Sequence, residues 1–263
     1  MAIDIQKVKN ERFEMQYFHF GNGPRTAVIL PGLSIKSVTE SAQMVANAYK
    51  LLKEHYTVYV FERRTSCPEN YSIHHMAQDT IQALDSLGLQ NTFMLGISQG
   101  GSIALQIALD RPDLVKKLVI GSSTSRFTSE NNAVIENWIR LAQNRNMNAL
   151  VNSFVKELFT KDFYEKFGEY IVQSIGQPDD AEISRFIILA KACKGFNLYD
   201  RLDGIHCPLL IIGARQDRVL GVNASIEMAE RTGGQLYIYE NYGHAVYDEA
   251  PDYKERLLAF FDQ

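Results

Sequence analysis

Short apolar runs alternate along this chain with stretches whose apolar residues recur at helical spacing. That rhythm narrows the fold more than any other feature. FEMQYFHF (13–20) and residues 26–30 read as strands, and the turn GNGPR between them suggests an antiparallel pair. TAVILPGL is a nearly continuous apolar run, which suits a strand buried on both faces. SAQMVANAYKLLKEH then reads as an amphipathic helix, TVYVFE as a strand, and MAQDTIQALDSLGL as a helix that stops near Gly88. NTFMLG is a strand, QGGSIALQIALDRP a helix ended by Pro112, and KKLVIGS another strand. Strand and helix repeating at this length imply a parallel sheet with helices on both faces.

After Ser122 the rhythm breaks. Residues 123–201 hold helix upon helix, with apolar faces in IENWIRLAQN, ALVNSFVKELF and AEISRFIILAKA. CPLLIIGA then resumes the strand pattern, followed by the helix VNASIEMAERT, the strand QLYIYE and a closing helix in APDYKERLLAFFDQ. The expected class is α/β, with a mostly parallel central sheet and a helical cap inserted after the sixth strand. The sheet domain would comprise residues 1–122 and 202–263, and the cap 123–201. An insertion at the carboxyl end of a parallel strand lies where ligands bind, so it reads as a lid.

The bulk numbers exclude several partners. Net charge is −4 and no lysine/arginine cluster is present, which argues against nucleic acid. No apolar run approaches the ~18 residues of a membrane span, and MAIDIQKVKNERFEMQ carries no apolar export signal. Three cysteines, Cys67, Cys193 and Cys207, are widely spaced and lack any C-x-x-C pair, against both a disulfide framework and a zinc site. The expectation is a cytoplasmic protein acting on a small molecule, as a monomer or small homo-oligomer.

The chemistry concentrates in GISQG, residues 96–100, set between a strand and a helix. In G-x-S-x-G a strained strand-to-helix turn exposes the serine oxygen above the sheet. Glycines two before and two after Ser98 leave room that a Cβ would fill. A serine hydroxyl needs a base, and the base an orienting acid, expected in the order serine, acid, histidine. Of the six histidines, His244 follows the last strand in a loop opening with glycine. His74 and His75 are adjacent and lack the i, i+4 spacing of a helical metal site. Asp217 falls just past the strand in CPLLIIGARQD, whereas the loop SSTSRFTSE after KKLVIGS has nothing acidic until Glu130.

With these residues in place, the chain resembles the α/β-hydrolase superfamily. It is most similar to the cytosolic single-domain branch of enol-lactonases, carboxylesterases and proline iminopeptidases. VILPGL resembles the oxyanion strand and turn, and the block from VFERRTSC through VKKLVI resembles the centre of the family. CPLLIIGARQDRV resembles its acid segment and YGHAVYDEAPD its histidine segment. The resemblance implies a catalytic set of Ser98, Asp217 and His244, with an oxyanion hole from the backbone N–H groups of Leu33 and Gln99. It requires no metal or organic cofactor. Two departures stand out: Pro31-Gly32 where many relatives have histidine-glycine, and Gln99 where bulky apolar residues are frequent. A serine at position 98 separates the chain from relatives of this fold that use an aspartate nucleophile, and points to acyl transfer from a small acyl substrate.

The same three residues would also serve a lactonase, C–C bond hydrolase, thioesterase or aminopeptidase. A ligand-binding signalling protein of this fold is the alternative outside enzymes. An aminopeptidase needs carboxylates in the insertion to hold the amine, with Glu157, Glu165 and Glu169 as candidates. Ser34 near the oxyanion turn and Trp138 in the insertion are candidate substrate contacts; Ser34 could equally cap the next helix. Arg63 and Arg64 read as structural or solvated, with an anionic substrate as the alternative.

Overall fold

The computed structural model describes residues 3–263, with the Glu130 side chain outside the description. Met1 and Ala2, part of the stretch read for an export signal, also lie outside the described residues. Eight strands form one sheet in the order β1-β2-β4-β3-β5-β6-β7-β8. They are β1 Gln6–Lys9, β2 Glu14–Phe20, β3 Arg25–Leu30, β4 Tyr56–Arg64, β5 Thr92–Ile97, β6 Val115–Gly121, β7 Leu209–Ala214 and β8 Gln235–Tyr239. From β4 through β8 the pairs are parallel, and only β2 runs against the rest, antiparallel to both β1 and β4. Every residue of β5 and β7 is buried, as the apolar runs required.

Two strand expectations change. Residues 26–30 and TAVILPGL are one strand, β3, and the count of six before the insertion is restored by β1, which the sequence reading did not identify. The antiparallel pairing of β2 with β3 does not form, because β4 lies between them. The glycines of GNGPR explain this. A Cβ on Gly21 would sit 2.4 Å from the Tyr56 carbonyl oxygen, and one on Gly23 only 2.0 Å from the carbonyl carbon of His55. The turn therefore presses onto the chain entering β4 instead of closing a hairpin.

Helices cover both faces. Ile73–Ser86 (α2), Gln99–Asp110 (α3) and Val222–Thr232 (α8) pack on one side, and Ala42–Ala48 (α1) and Tyr253–Asp262 (α10) on the other. The expected helix over 41–55 is shorter, because buried Tyr49 and Leu52 turn the chain into β4. Helix α2 starts earlier than expected, at Ile73, where Ser72 and the His75 side chain form a capping box.

Four helices separate β6 from β7: Ser129–Gln143 (α4), Met147–Leu158 (α5), Lys161–Ile175 (α6) and Asp180–Lys191 (α7). The sequence reading did not separate α6 as a helix. They share their own apolar cluster around Trp138, Phe154, Phe186 and Leu150. That cluster reaches the sheet unit through Ile35, Val219, Leu220 and Ala245, all on loops. A short helix, Val246–Glu249 (α9), precedes α10. Among the described residues no helix is long and apolar enough to cross a membrane.

The strand order reverses between β3 and β5, since β3 leads outward to β4 on one side and β5 lies on its other. Ligands of open α/β sheets bind beyond the carboxyl ends at such a switch point. The loops leaving β3 and β5 carry Leu33 and Ser98.

Candidate active site

Ser98 sits between β5 and α3 with φ 51° and ψ −122°. A left-handed φ is costly for a residue with a Cβ, by about 1–3 kcal/mol, and persists only where neighbours hold it. Here the Ser98 N–H donates to the Gly121 carbonyl at 2.9 Å. Its carbonyl accepts from the Gly101 N–H at 2.8 Å and from the Ser123 hydroxyl at 2.6 Å. The crowding expected at the glycines is present: a Cβ on Gly96 would lie 2.6 Å from the Gly100 carbonyl oxygen, and one on Gly100 2.0 Å from that of Leu30. Ser123 was not foreseen. Its signal in SSTSRFTSE is a run of small hydroxyl residues just beyond a strand end.

His244 and Asp217 complete a continuous hydrogen-bonded series. His244 Nε2 lies 3.0 Å from Ser98 Oγ, and His244 Nδ1 lies 2.8 Å from Asp217 Oδ2. The other carboxylate oxygen of Asp217 accepts from the N–H groups of Val219 at 2.8 Å and Leu220 at 2.9 Å. Burial alone would raise the Asp217 carboxyl, but the His244 ring and these two N–H donors together hold it below the usual range. With Nδ1–H donating to a carboxylate, Nε2 is the acceptor that faces the Ser98 hydroxyl.

Leu33 and Gln99 flank Ser98. The loop after β3 is close: a Cβ on Gly32 would meet the Ser98 Cβ at 3.1 Å. Gln99 opens α3, so its N–H is one of the donors that a helix start leaves without an intrahelical acceptor. The Gln99 side chain is engaged elsewhere, its Nε2 donating to the Leu189 carbonyl of α7 at 2.7 Å. Its Oε1 accepts from Arg63 at 3.1 Å. Arg63 is buried and also donates to the Pro31 carbonyl, so it is structural and not a surface contact for an anion.

Ser34 falls outside the space over Ser98. Its hydroxyl donates to the Lys36 carbonyl at 2.6 Å and faces the neighbouring cavity; Ser37, not Ser34, caps the next turn. Trp138 does line the space over Ser98, packed on Phe154 at 4.8 Å between ring centres. The three insertion carboxylates do not line it. Glu157 pairs with Arg218, Glu165 with Lys161, and Glu169 accepts from Gln173.

The space directly over Ser98 is about 20 Å³, little more than one water needs. Leu33, Phe154 and Leu158 separate it from a second cavity of about 310 Å³. That cavity shares Lys36, Ser41, Ile175 and Asp248 with a surface groove of about 730 Å³ between α1 and α6.

One buried charged group went unforeseen. Glu62, at the end of β4, accepts from Arg185 of α7 at 2.5 Å, from the Ser37 hydroxyl at 2.8 Å and from the Val38 N–H at 2.8 Å. The sequence signal was a charged run, ERR, closing an otherwise apolar strand.

The family profile described as alpha/beta hydrolase fold matches residues 30–251. A protein of Caulobacter vibrioides named "Putative carbamate hydrolase RutD" is 26% identical over 200 residues, covering 74% of each chain. Among solved structures, MGS-M2, an alpha/beta hydrolase enzyme from a Medee basin deep-sea metagenome library, superposes with TM-score 0.88 at 22% identity over 98% of each chain. The enol-lactonase from Burkholderia xenovorans LB400 superposes with TM-score 0.84 at 17% identity, over 98% of this chain and 100% of that one.

Proposed function

The chain belongs to the α/β hydrolase fold family, and from that premise we propose that it is a serine hydrolase cleaving a carboxylic ester or related acyl bond of a small substrate. The observation that carries this reading is the series Ser98 Oγ, His244 and Asp217, joined at 3.0 and 2.8 Å. In the proposed cycle Ser98 Oγ bonds to the acyl carbon while His244 Nε2 takes its proton. The carbonyl oxygen becomes an oxyanion, held by the N–H groups of Leu33 and Gln99. Collapse expels the alkoxide, which takes the proton back from His244 and leaves an acyl-Ser98. Water then gives a proton to His244 and attacks the acyl carbon. The second collapse releases the acid and returns the proton to Ser98 Oγ.

In this reading residues 123–201 act as a cap. Room for about one water over Ser98 means that a substrate enters only as the insertion shifts. The entry route runs from the groove between α1 and α6, through the second cavity, and past Leu33, Phe154 and Leu158.

A carbamate is the second reading, favoured by the name of the Caulobacter relative. The same attack on a carbamate carbonyl would leave a carbamoyl-Ser98. Intact mass after exposure to a fluorophosphonate tests the shared step: Ser98 Oγ bonds to phosphorus, fluoride leaves and His244 takes the proton. The expected result is one adduct on the wild type and none on Ser98→Ala. No adduct on the wild type overturns the serine hydrolase reading. Turnover of p-nitrophenyl acetate against a p-nitrophenyl carbamate then separates ester from carbamate.

A further inference from the structure

We propose that Arg63 is the positioning residue of the oxyanion hole, holding both of its peptide donors through one buried guanidinium. This rests on the reading that the Leu33 and Gln99 N–H groups receive the oxyanion.

Strand β4 outruns β3. The register pairs Ile29 with Val60, so Arg63 stands beside the loop that leaves β3 after Leu30. There Arg63 Nη2 donates to the Pro31 carbonyl at 2.6 Å, to the Gly32 carbonyl at 3.4 Å and to Gln99 Oε1 at 3.1 Å. Only 5% of Arg63 is exposed, so water does not compete for its donors.

The first two contacts set the direction of a donor. The Gly32 carbonyl and the Leu33 N–H belong to one planar unit, and in a trans peptide they point opposite ways. No cis peptide occurs among the described residues. Fixing the Gly32 oxygen towards Arg63 turns the Leu33 N–H away from it. The short bond to the Pro31 oxygen holds the preceding peptide plane in the same way. A cation at these oxygens also polarises the peptides and strengthens their N–H groups as donors. The third contact acts on the other half of the hole. Gln99 is held from both ends, by Arg63 on Oε1 and by the Leu189 carbonyl on Nε2 at 2.7 Å. That fixes the first turn of α3 and with it the Gln99 N–H.

The residue type follows. All three contacts come from Nη2, whose two hydrogens serve the Pro31 oxygen and Gln99 Oε1, with the Gly32 oxygen sharing one of them at 3.4 Å. Lysine keeps the charge but not the rigid planar group that aims Nη2 at these oxygens. Gln99 follows as well, because an apolar side chain there would offer Arg63 no acceptor.

The test uses the full chain and three proteins: wild type, Arg63→Lys and Arg63→Met. Two rates are read, fluorophosphonate labelling by intact mass and kcat on p-nitrophenyl acetate. Affinity for a trifluoromethyl ketone, which forms a tetrahedral adduct on Ser98, is read beside them. Arg63→Met is expected to slow both rates about 100-fold and to weaken the ketone by a similar factor, with KM little changed. Arg63→Lys is expected to recover part of each. Wild-type rates in Arg63→Met, or a loss confined to KM and folded fraction, would overturn the proposal. Should Arg63→Met not fold, Arg63→Lys carries the test through the same split of kcat from KM. A wild type that does not label at all removes the serine hydrolase reading, and this inference with it. A labelling wild type beside unaffected Arg63 variants removes this inference alone.

Discussion

The two sides of the space around Ser98 are held by different kinds of force. On the sheet side, Ser98, Leu33 and Asp217 leave the ends of strands whose neighbours bond them along the whole ladder. On the helical side, α4 to α7 contribute to an apolar cluster of their own. They are tied to the sheet unit at a few polar points. Arg185 meets Glu62 at 2.5 Å and the Gln99 amide meets the Leu189 carbonyl at 2.7 Å. The Ala245 N–H meets the Leu158 carbonyl, and Arg218 the Phe159 carbonyl, each at 2.8 Å. A ladder fixes atoms to a fraction of an ångström, whereas a handful of polar ties can be broken and remade. Under the proposed function, the difference gives chemistry to the first side and choice of substrate to the second.

The largest effects should therefore come from the sheet side, without loss of fold. Ser98→Ala is expected to lower kcat/KM about 10⁶-fold while the melting temperature holds, since alanine keeps the backbone and the Cβ and loses only the hydroxyl's bond to His244. Asp217→Asn is expected to cost about 10⁴-fold through the wrong imidazole tautomer. Steady-state kinetics beside thermal melts check both. Comparable turnover in Ser98→Ala would erase the distinction between the two sides.

The legibility of the sequence divides along the same line. Strands β3, β5 and β7 announce themselves because burial on both faces demands continuous apolar runs, and G-x-S-x-G is a local pattern with a local cause. Ser98, Asp217 and His244 stand beyond the ends of β5, β7 and β8, so chain order was enough to collect them. The β2–β3 pairing was misread because a turn with two glycines has more than one use, and nothing local says that β4 will enter. Helix α6 was missed for a different reason. Its apolar residues recur at the same helical spacing as those of α5, but KDFYEKFGEYIVQSI dilutes them with five charged residues against two in MNALVNSFVKEL. The roles of Glu62, Arg63 and Arg185 are least legible. Each depends on a partner far along the chain, as with Glu62 and Arg185, 123 residues apart.

Trp138 probes the second side. It is buried between Phe154 and the space over Ser98. Trp138→Ala should destabilise the chain by about 3 kcal/mol as a large-to-small core change. It should also shift the ranking of esters by acyl length, with labelling of Ser98 retained. Urea unfolding and a series of p-nitrophenyl esters measure the two effects. Equal loss on every ester, as large as that of Asp217→Asn, would mean that the helical side also sets the chemistry.

The tie between Glu62 and Arg185 gives the smallest and sharpest test, through pH. Burial would raise the Glu62 carboxyl, but Arg185 and Arg63, with hydrogen bonds from the Arg63 N–H and the Ser37 hydroxyl, outweigh it and hold the group below its ordinary 4.5. A depressed folded value means that the stabilisation is complete above the unfolded value and is lost as pH falls through the lower, folded one. The tie should thus hold at neutral pH and loosen only in acid, below about pH 4.5. Arg185→Met removes one counter-charge, so the carboxyl rises and the acid loss begins at a higher pH. At neutral pH the same change costs up to about 3 kcal/mol, less what the remaining partners of Glu62 restore. Cys193 supplies a local readout. It is buried just beyond α7, and burial pushes its thiol up to about 12, so alkylation of the intact protein is slow. Arg185→Met should speed alkylation of Cys193 more than it lowers global stability. A wild type that already loses stability between neutral pH and 5, or a variant whose Cys193 stays as slow, would show that the insertion is held by its apolar contacts and not by this tie.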